Sequence, residues 1–453
     1  MANSLPKHIA VIGAGWAGCA AAVELSKYGH RVTIFEAART LGGRARQLVS
    51  HDLTIDNGQH ILLGAYEQSL QIMRVVGIDT EQALLRLPLQ MIYPKHEDGM
   101  LFIAPKSKFI PAPLHLLLAL WQAKGLQQED KFALARFSST ARWMGWKIYE
   151  DCSVSELLQR FDQTARLCRL MWNPLCIAAL NTPPQRASAQ VFLNVLRDSL
   201  GAHRAASDML IPKMDLSALF PEKAVAFIQS KGNLIKLGNA VTHISKSQDI
   251  PEKWLLSLST QNHTQQPSDD PAFYDGVVIA TDASNAKRLL ATTSSGTSLP
   301  DFEFEAITTC YLQYPSSLRL ENPMFALCDD PANAKWGQFV FDRGHLHIDQ
   351  AGLLAVVISA PEHIGVMAHK DLAQAIACQL AQSLQLPALE QPLWHQIVTE
   401  KRATFSCTPG LVRPLNNTTE LGLVLAGDYT ACQYPATLEA AVRSGIAAAK
   451  LFM

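Results

Sequence analysis

The chain opens on the stretch that decides its fold, residues 7–46, which read KHIAVIGAGWAGCAAAVELSKYGHRVTIFEAARTLGGRAR. A short apolar run, residues 8–12, precedes the glycine pattern G-x-G-x-x-G at residues 13–18. An alanine-rich segment from Cys19 to Tyr28 follows, and a second apolar run ends at Glu36. The order predicts a buried strand, a tight turn, a helix and a second strand.

Such a unit predicts a dinucleotide site in which each glycine has its own task. Gly13 permits the tight turn, Gly15 lets the backbone approach a pyrophosphate, and Gly18 lets helix and strand pack closely. The helix N-terminus presents unpaired N–H groups to the phosphates. Glu36 follows Gly18 by eighteen residues, where a carboxylate accepts from ribose hydroxyls and repels a 2′-phosphate. The predicted contact residues are Gly13, Ala14, Gly15, Trp16, Ala17, Gly18, Glu36 and Ala37.

This first motif does not separate NAD from FAD, but the residues after it do. The stretch from Ala37 to Arg46 contains a second glycine turn with two arginines and resembles the extended fingerprint of the amine oxidase and carotenoid desaturase superfamily. The resemblance implies FAD and places Gly42, Gly43, Arg44, Ala45 and Arg46 along the flavin pyrophosphate. Arginine suits that place because its guanidinium pairs phosphate oxygens.

The C-terminal end also resembles the superfamily. An apolar strand ends in Gly427-Asp428, and a helix begins after a loop that closes with Pro435. The resemblance implies that Asp428 binds a ribityl hydroxyl and that the helix N-terminus faces the flavin pyrimidine. The implied contacts there are Gly427, Asp428, Ala436, Thr437, Leu438 and Ala441, and Val241 is implied to pack on the adenine. The pattern around Cys407 does not match that of amine oxidases with a cysteine-linked flavin, so we expect non-covalent FAD.

The fold class expected from these motifs is α/β, with a Rossmann-like FAD-binding domain split in sequence and an inserted α+β substrate domain. We expect residues 1–85, 225–300 and 395–453 to form the FAD-binding domain. Residues 86–224 and 301–394 are expected to form the substrate domain, with antiparallel strands and a helical insertion at 110–210.

The segment from Asp56 to Tyr66 passes the flavin ring in the superfamily. The resemblance therefore adds Asn57, Gly58, Gln59 and His60 to the cofactor contacts. His60 is also the candidate catalytic residue, because an imidazole near the ring could carry a proton. The alternative is that His60 is a hydrogen-bonded structural histidine.

Composition narrows the function classes. The chain has 453 residues, 39 basic and 40 acidic, which gives no indication of a nucleic-acid partner. Hydrophobic residues make up 48% and charged residues 17%, which favours an apolar ligand or a membrane-facing surface. Nine scattered cysteines without a C-x-x-C predict reduced thiols and a cytoplasmic protein.

Residues 105–125 contain the Leu-rich run LHLLLALW with lysines around it. One interpretation is a buried core helix. The other is a peripheral contact with the inner face of the membrane, through which a lipid substrate is collected. No apolar run has the length of a transmembrane helix.

No metal is expected. His345, His347 and Asp349 alternate along a predicted strand and superficially match a ligand triad, but the neighbouring Asp-Arg-Gly turn favours an exposed meander.

Residues 56–66, 172–184 and 400–405 together resemble the squalene-associated flavoenzymes of bacterial hopanoid synthesis, the hydroxysqualene dehydroxylases. The resemblance implies a C30 isoprenoid substrate, reductive loss of its allylic hydroxyl to give squalene, and association with squalene-pathway synthases. Two alternatives stay open: a carotenoid desaturase or amine oxidase of the same fold, and a prenyl-lipid chaperone that uses no flavin.

Overall fold

The computed structural model describes residues 5–95, 99–105, 114–259, 273–360 and 367–453. Its first layer is a sheet of five parallel strands. In spatial order these strands are Leu234–Leu237, Arg31–Glu36, His8–Ile12, Gly276–Ile279 and Leu423–Leu425. All neighbours in this sheet run parallel, and the strands predicted at 8–12, before Glu36 and before Gly427 are confirmed.

The parallel sheet draws its strands from distant parts of the chain. The central strands are apolar on both faces because both faces are covered, as parallel sheets require. Helix Trp16–Lys27 packs on one face, and the hairpin Val241–Lys246/Trp254–Leu258 and helix Ala283–Leu290 share the apolar cluster of the other. Helix Trp16–Lys27 packs against helix Leu438–Lys450, and the contact is so close that a Cβ on Gly445 would lie 2.2 Å from the Ala17 carbonyl oxygen. This arrangement is the expected Rossmann-like layer, split in sequence. The residue numbers of the domain boundaries stay a prediction.

The second large sheet is antiparallel. In spatial order its strands are Met324–Ala326, Phe339–Asp342, Leu353–Ser359, Phe304–Gln313 and Trp394–Phe405. Helix His369–Leu384 packs against one face of this sheet. The predicted strand through His345 and His347 is wrong: short 3₁₀ turns occupy Arg343–His345 and Ile348–Gln350. The His345 ring nitrogen Nε2 instead bonds the Leu320 carbonyl at 2.9 Å.

Residues 114–207 form a helical region, called the helical insertion, inside the segment 110–210 for which one was predicted. Its helical segments are Leu114–Gln122, Gln128–Trp143, Val154–Arg160, Ala165–Leu167, Cys168–Trp172, Asn173–Leu180, Ala189–Leu196, Arg197–Gly201 and Arg204–Ser207. Two of them, Cys168–Trp172 and Arg197–Gly201, are π-helical turns. Residues 106–113, which belong to the predicted membrane segment, lie outside the described ranges.

Smaller elements complete the chain. The short strands pair as Gln47–Ser50 with Leu53–Asp56, Gln90–Ile92 with Leu101–Ile103, Val241–Lys246 with Trp254–Leu258, and Met209–Pro212 with both Leu62–Leu63 and Leu84–Leu87. The remaining helices are Glu67–Val75, Thr80–Ala83, Leu216–Leu219, Pro221–Ser230 and Ala283–Leu290, with short 3₁₀ turns at Pro331–Asn333 and Pro387–Glu390. Within the described ranges, no helix combines the length and apolarity needed to cross a bilayer.

Candidate active site

A cavity of about 870 Å³ lies where the carboxyl ends of the parallel strands meet the antiparallel sheet and the helical insertion. Residues just beyond the ends of all five parallel strands line it, which is the usual place for a ligand in an open α/β sheet. The cavity brings together every predicted site residue except Ala14 and Gly18. Those that line it are Gly13, Gly15, Trp16, Ala17, Glu36, Ala37, Gly42, Gly43, Arg44, Ala45, Arg46, Asn57, Gly58, Gln59, His60, Val241, Gly427, Asp428, Ala436, Thr437, Leu438 and Ala441.

The first glycine turn has the geometry expected of it. Gly13 has a positive φ of 107°, and a Cβ there would lie 2.6 Å from the Ala280 carbonyl oxygen. A Cβ on Gly18 would lie 2.0 Å from the Gly13 carbonyl oxygen, so Gly18 is needed for packing and not for lining the cavity. Gly15 is the N-cap of the first helix and receives no side-chain capping bond. The helix N-terminus is therefore available to an anion at the cavity.

Glu36 lies beside this turn. One carboxylate oxygen accepts from the Ala14 amide at 2.6 Å, and the other accepts from the Ala38 amide at 2.8 Å. A carboxylate has about four acceptor positions, so two stay available for the hydroxyls of a ribose. Ala14 thus belongs to the site through its backbone, although it does not line the cavity.

The second glycine turn adjoins the first. Gly42 and Gly43 both have positive φ angles, and a Cβ on Gly43 would lie 3.4 Å from the Gly15 Cα. The Arg44 guanidinium donates to the Asp428 carboxylate at 2.6 Å and to the Ala403 carbonyl at 2.7 Å. The structure therefore joins the N-terminal and C-terminal motifs through Arg44, a contact that the expected phosphate role did not foresee.

Arg46 also makes a contact that the resemblance did not imply. Its Nη1 donates to the Gly43 carbonyl at 2.6 Å, which leaves the other guanidinium N–H groups for a ligand.

In the C-terminal motif, the Thr437 side chain caps helix Leu438–Lys450 by accepting from the Ala440 amide at 3.1 Å. Val241 is buried and lines the cavity beside the end of the edge strand.

The segment after Asp56 is fixed by contacts from the rest of the fold. Asn57 donates its side-chain amide to the Arg44 carbonyl and to the Glu400 carboxylate. Arg343 donates to the Gln59 side-chain oxygen at 2.8 Å and lies 3.9 Å from the Asp56 carboxylate. The cavity-lining loop at residues 57–60 is thus held by a residue of the antiparallel-sheet region.

His60 lies in this loop with its Nδ1 atom 2.7 Å from the Gly58 carbonyl oxygen. Because a carbonyl can only accept, Nδ1 carries the proton and Nε2 is the free nitrogen in the neutral ring. Burial lowers the pKa of His60, and the hydrogen bond to Gly58 only partly offsets that effect. A protonated His60 is therefore a stronger acid than usual and a rarer species near pH 7.

Much of the remaining wall is apolar. The 171–184 segment contributes Leu175, Ala178, Ala179 and Asn181. Further apolar lining residues are Ile61, Leu63, Leu89, Met91, Val195, Leu196, Leu200, Met209, Ile307, Met324, Phe339, Phe341 and Val357. No cysteine lines the cavity among the residues that the structure describes, and burial raises the pKa of the Cys407 thiol to about 12. Non-covalent cofactor binding accords with both observations.

Several polar residues of the cavity were missed from the sequence. Asp282, Asn285 and Arg288 lie just after the strand Gly276–Ile279, and a carboxylate directly after a buried parallel strand is a signal that could have been used. Glu400 and Asp198 carry no comparable signal because only the tertiary fold brings them to the cavity. Within the described residues there is no cluster of three or more His, Cys, Asp or Glu suited to a metal ion.

With this geometry established, comparison with known proteins identifies the family. The model of the flavin containing amine oxidoreductases matches residues 16–452. Hydroxysqualene dehydroxylase of Sinorhizobium fredii is 29% identical, with 99% of this chain and 98% of the relative covered. Hydroxysqualene dehydroxylase of Rhodopseudomonas palustris is also 29% identical, with 99% of each covered.

A solved structure shows the same fold. Cyclohexylamine oxidase from Brevibacterium oxydans superposes with a TM-score of 0.67 at 15% identity, covering 99% of each chain. Identity at that level indicates shared architecture and not shared chemistry. Since the family model spans nearly the whole chain and the flavin motifs meet at one cavity, the chain belongs to the flavin containing amine oxidoreductase family and is an FAD-dependent oxidoreductase.

Proposed function

We propose that this protein reductively removes the allylic hydroxyl of hydroxysqualene to give squalene. The observation that carries the proposal is the similarity to hydroxysqualene dehydroxylases over 99% of the chain. The apolar lining of the cavity next to the flavin motifs supports a hydrocarbon substrate. Burial of apolar surface favours binding of such a substrate, because removing apolar surface from water is worth about 25 cal/mol per Å².

The residues of the nucleotide side fit FAD. The uncapped helix N-terminus at Gly15 would receive the pyrophosphate, and Arg46 would contribute its free N–H groups. Glu36 would accept from the ribose hydroxyls, and Asp428, oriented by Arg44, would accept from the ribityl chain. When bound and reduced, FAD supplies a hydride to the substrate carbon.

The reaction balances as R–OH + H⁺ + H⁻ → R–H + H₂O. Hydroxide is a poor leaving group, so it must leave as water after protonation by a positioned acid. The resulting allylic cation would be captured by bulk water, and the apolar walls of the cavity exclude that water. We propose His60 as the residue that guides this proton, directly or through a water at Nε2.

The test is anaerobic incubation of chemically reduced protein with hydroxysqualene. We expect squalene, identified by mass spectrometry, in an amount equal to the bound FAD, with return of the yellow colour of oxidised flavin. Absence of squalene would contradict the proposal. A His60→Gln variant that forms squalene at the wild-type rate would exclude His60 as the proton carrier but leave the reaction in place.

The same preparation separates the alternative functions. A carotenoid desaturase or an amine oxidase would lose its yellow colour when oxidised protein is mixed with phytoene or with an amine. A prenyl-lipid chaperone would purify without flavin. The intact contacts of Glu36, Arg44 and Asp428 support a protein that uses its cofactor.

We also propose a peripheral contact of the Leu-rich helix with the inner face of the membrane. Helix Leu114–Gln122 buries His115, Ala119 and Leu120, so the core interpretation applies to one face of the helix. The other face exposes Leu114, Leu117 and Trp121, the last with 81% of its surface accessible. Amphipathic helices with aliphatic and Trp side chains on one face bind at bilayer interfaces.

The position of this helix supports the proposal. The His115 ring lies 3.4 Å from the hydroxyl of Ser207, and Ser207 lines the cavity. The Lys131 ammonium donates to the Trp121 carbonyl and thereby places a positive charge near the apolar face, where anionic lipid head groups would be attracted. A substrate taken from the bilayer would have a short path to the cavity. The proposed association with squalene-pathway synthases would also assist transfer of the substrate to the cavity.

Co-sedimentation with vesicles of phosphatidylcholine and phosphatidylglycerol tests this contact. Leu117→Ser combined with Trp121→Ser should reduce binding while the flavin spectrum stays unchanged, because both side chains are exposed. The matched control replaces Val412 and Leu421, which are exposed elsewhere, by serine. Unchanged sedimentation of the first variant, or an equal decrease in the control, would contradict the proposed surface.

A further inference from the structure

A hydrogen-bonded pair joins the helical insertion to the C-terminal loop across the cavity wall. The Tyr434 hydroxyl donates to the Asp198 carboxylate at 2.6 Å, and both residues line the cavity. Asp198 belongs to the π-helical turn Arg197–Gly201 and accepts from Arg197 at 2.6 and 3.0 Å. The Arg443 guanidinium lies 4.9 Å from the centre of the Tyr434 ring. The contacts from Asp198 and Arg443 thus fix the orientation of the Tyr434 phenol, and Arg197 holds Asp198 in place.

This pair is an exception in an apolar region. Among the described residues that the helical insertion contributes to the cavity, Asp198 alone is ionisable. The hydroxyls of the neighbouring Ser199 and Ser207 donate to backbone carbonyls of their own segments, those of Val195 and Arg204. Placing a carboxylate in such a wall costs free energy unless the carboxylate is paired with, or hydrogen-bonded to, a protein group or a ligand.

The protonation states of Asp198 and Tyr434 determine which hydrogen bonds the pair can make to a ligand. Partial burial acts to raise the pKa of Asp198, but the hydrogen bonds from Arg197 and Tyr434 outweigh it and hold the pKa below its usual value. Asp198 is therefore an anion that only accepts, and the single phenol proton of Tyr434 is directed at it. The lone pairs of the Tyr434 phenol oxygen remain free to accept a hydrogen bond. The negative charge of Asp198, to which the phenol donates its proton, makes that oxygen a stronger acceptor.

We infer that the Tyr434 hydroxyl, oriented by Asp198, accepts a hydrogen bond from the hydroxyl group of the alcohol substrate and so fixes which carbon lies at the cofactor. Held in this way, the substrate oxygen keeps its own lone pairs for the incoming proton. Tyr434 is the specificity-determining residue and Asp198 is a positioning residue. The inference rests on the proposed dehydroxylation.

The consequence is discrimination between substrate and product. Hydroxysqualene can donate to Tyr434, whereas squalene cannot and would cover this half-buried acceptor without giving it a partner. Sites that hydrogen-bond a hydroxyl reject analogues without it more strongly than apolar pockets reject a change in size. The pair would therefore promote release of the hydrocarbon.

The experiment compares Tyr434→Phe with Tyr429→Phe. Tyr429 lies in the same loop, does not line the cavity, and its buried hydroxyl has no partner among the described atoms, so it is a matched control. We expect Tyr434→Phe to lower kcat/KM for hydroxysqualene about 10- to 100-fold through the lost hydrogen bond. Inhibition by squalene should stay equal or strengthen. The control should leave both values unchanged.

Asp198 is tested with two variants. Asp198→Asn keeps an oxygen that can accept from Tyr434 and should retain more of kcat/KM than Asp198→Ala does. Equal losses in the two variants would overturn the positioning role. Two results would overturn the inference but not the proposed function. One is a wild-type kcat/KM in Tyr434→Phe, and the other is a loss of squalene inhibition in this variant that parallels the loss of kcat/KM. Absence of squalene with the wild-type protein would overturn the proposed function and the inference together.

Discussion

The two sides of the cavity are built by different means. On the nucleotide side the backbone forms the site, with Gly13, Gly15 and Gly18 placing a helix N-terminus at the end of a strand. On the substrate side the side chains form the site, and residues from the antiparallel sheet and the helical insertion together make an apolar wall. Backbone requirements restrict residue identity, while an apolar wall accepts many combinations of similar volume. Three predictions test this contrast, from the largest effect to the smallest.

The largest effect is expected at the tight turn. Gly18→Val should abolish FAD binding and strongly destabilise the protein, because its Cβ would lie 2.0 Å from the Gly13 carbonyl oxygen, a backbone atom that cannot move aside. Flavin absorbance of the purified protein and thermal unfolding measure this. Gly296→Ala is the control, since no atom lies within 4 Å of its Cβ position. A yellow Gly18→Val protein with wild-type stability would contradict the assigned role.

A smaller effect is expected at the ribose end. Glu36→Ala should weaken FAD binding by about 1.5–3 kcal/mol through loss of charge-assisted hydrogen bonds, which is about 10- to 150-fold in Kd. Titration of FAD into protein stripped of cofactor gives this value. Glu303→Ala, with a side chain that is 83% exposed, serves as the control. Equal affinity of Glu36→Ala and wild type would show that the ribose lies elsewhere.

The smallest effect concerns the loop that joins the two sides. Burial raises the pKa of Asp56 from 3.8 to about 6, although Arg343 acts in the opposite direction. The folded protein then binds more protons than the unfolded chain, so this group's contribution to stability falls as the pH rises from about 4 to 6. Asp56→Asn keeps an oxygen that can accept from the Leu216 amide and removes the titration.

Chemical denaturation at several pH values measures the difference in unfolding free energy between wild type and Asp56→Asn. We expect the unfolding free energy of the wild type to fall relative to that of Asp56→Asn as the pH rises from 4 to 7. A difference that is independent of pH would show that the pKa of Asp56 is the same in the folded and the unfolded chain, so that Arg343 balances the cost of burial. A shift in favour of the wild type would show that Arg343 outweighs that cost.

The helical insertion shows why some predictions could not be completed from sequence. The Leu-rich run was compatible with either a core helix or a membrane-facing helix, and the structure shows a helix with one buried and one exposed face. The π-helical turns also lay beyond sequence reasoning, because an extra residue within a helical turn leaves no clear periodicity.

The prediction for the histidine pattern at 345–349 was wrong and not merely incomplete. Alternation predicted a strand, but Asp342 accepts from the Gly344 amide and begins a 3₁₀ turn. A local hydrogen bond from an aspartate side chain competes with the sheet ladder, and here it prevails.

The sequence by itself determined the nucleotide fold, the flavin motifs and the apolar character of the ligand. Each of these follows from local rules of glycine geometry, strand burial and helix termini, which leave a readable pattern within about forty residues. Only the tertiary structure decided that Arg44 pairs with Asp428, 384 residues away, and that Tyr434 meets Asp198 across 236 residues. Contacts over such separations depend on how whole layers pack, because no local pattern encodes which side chains then meet.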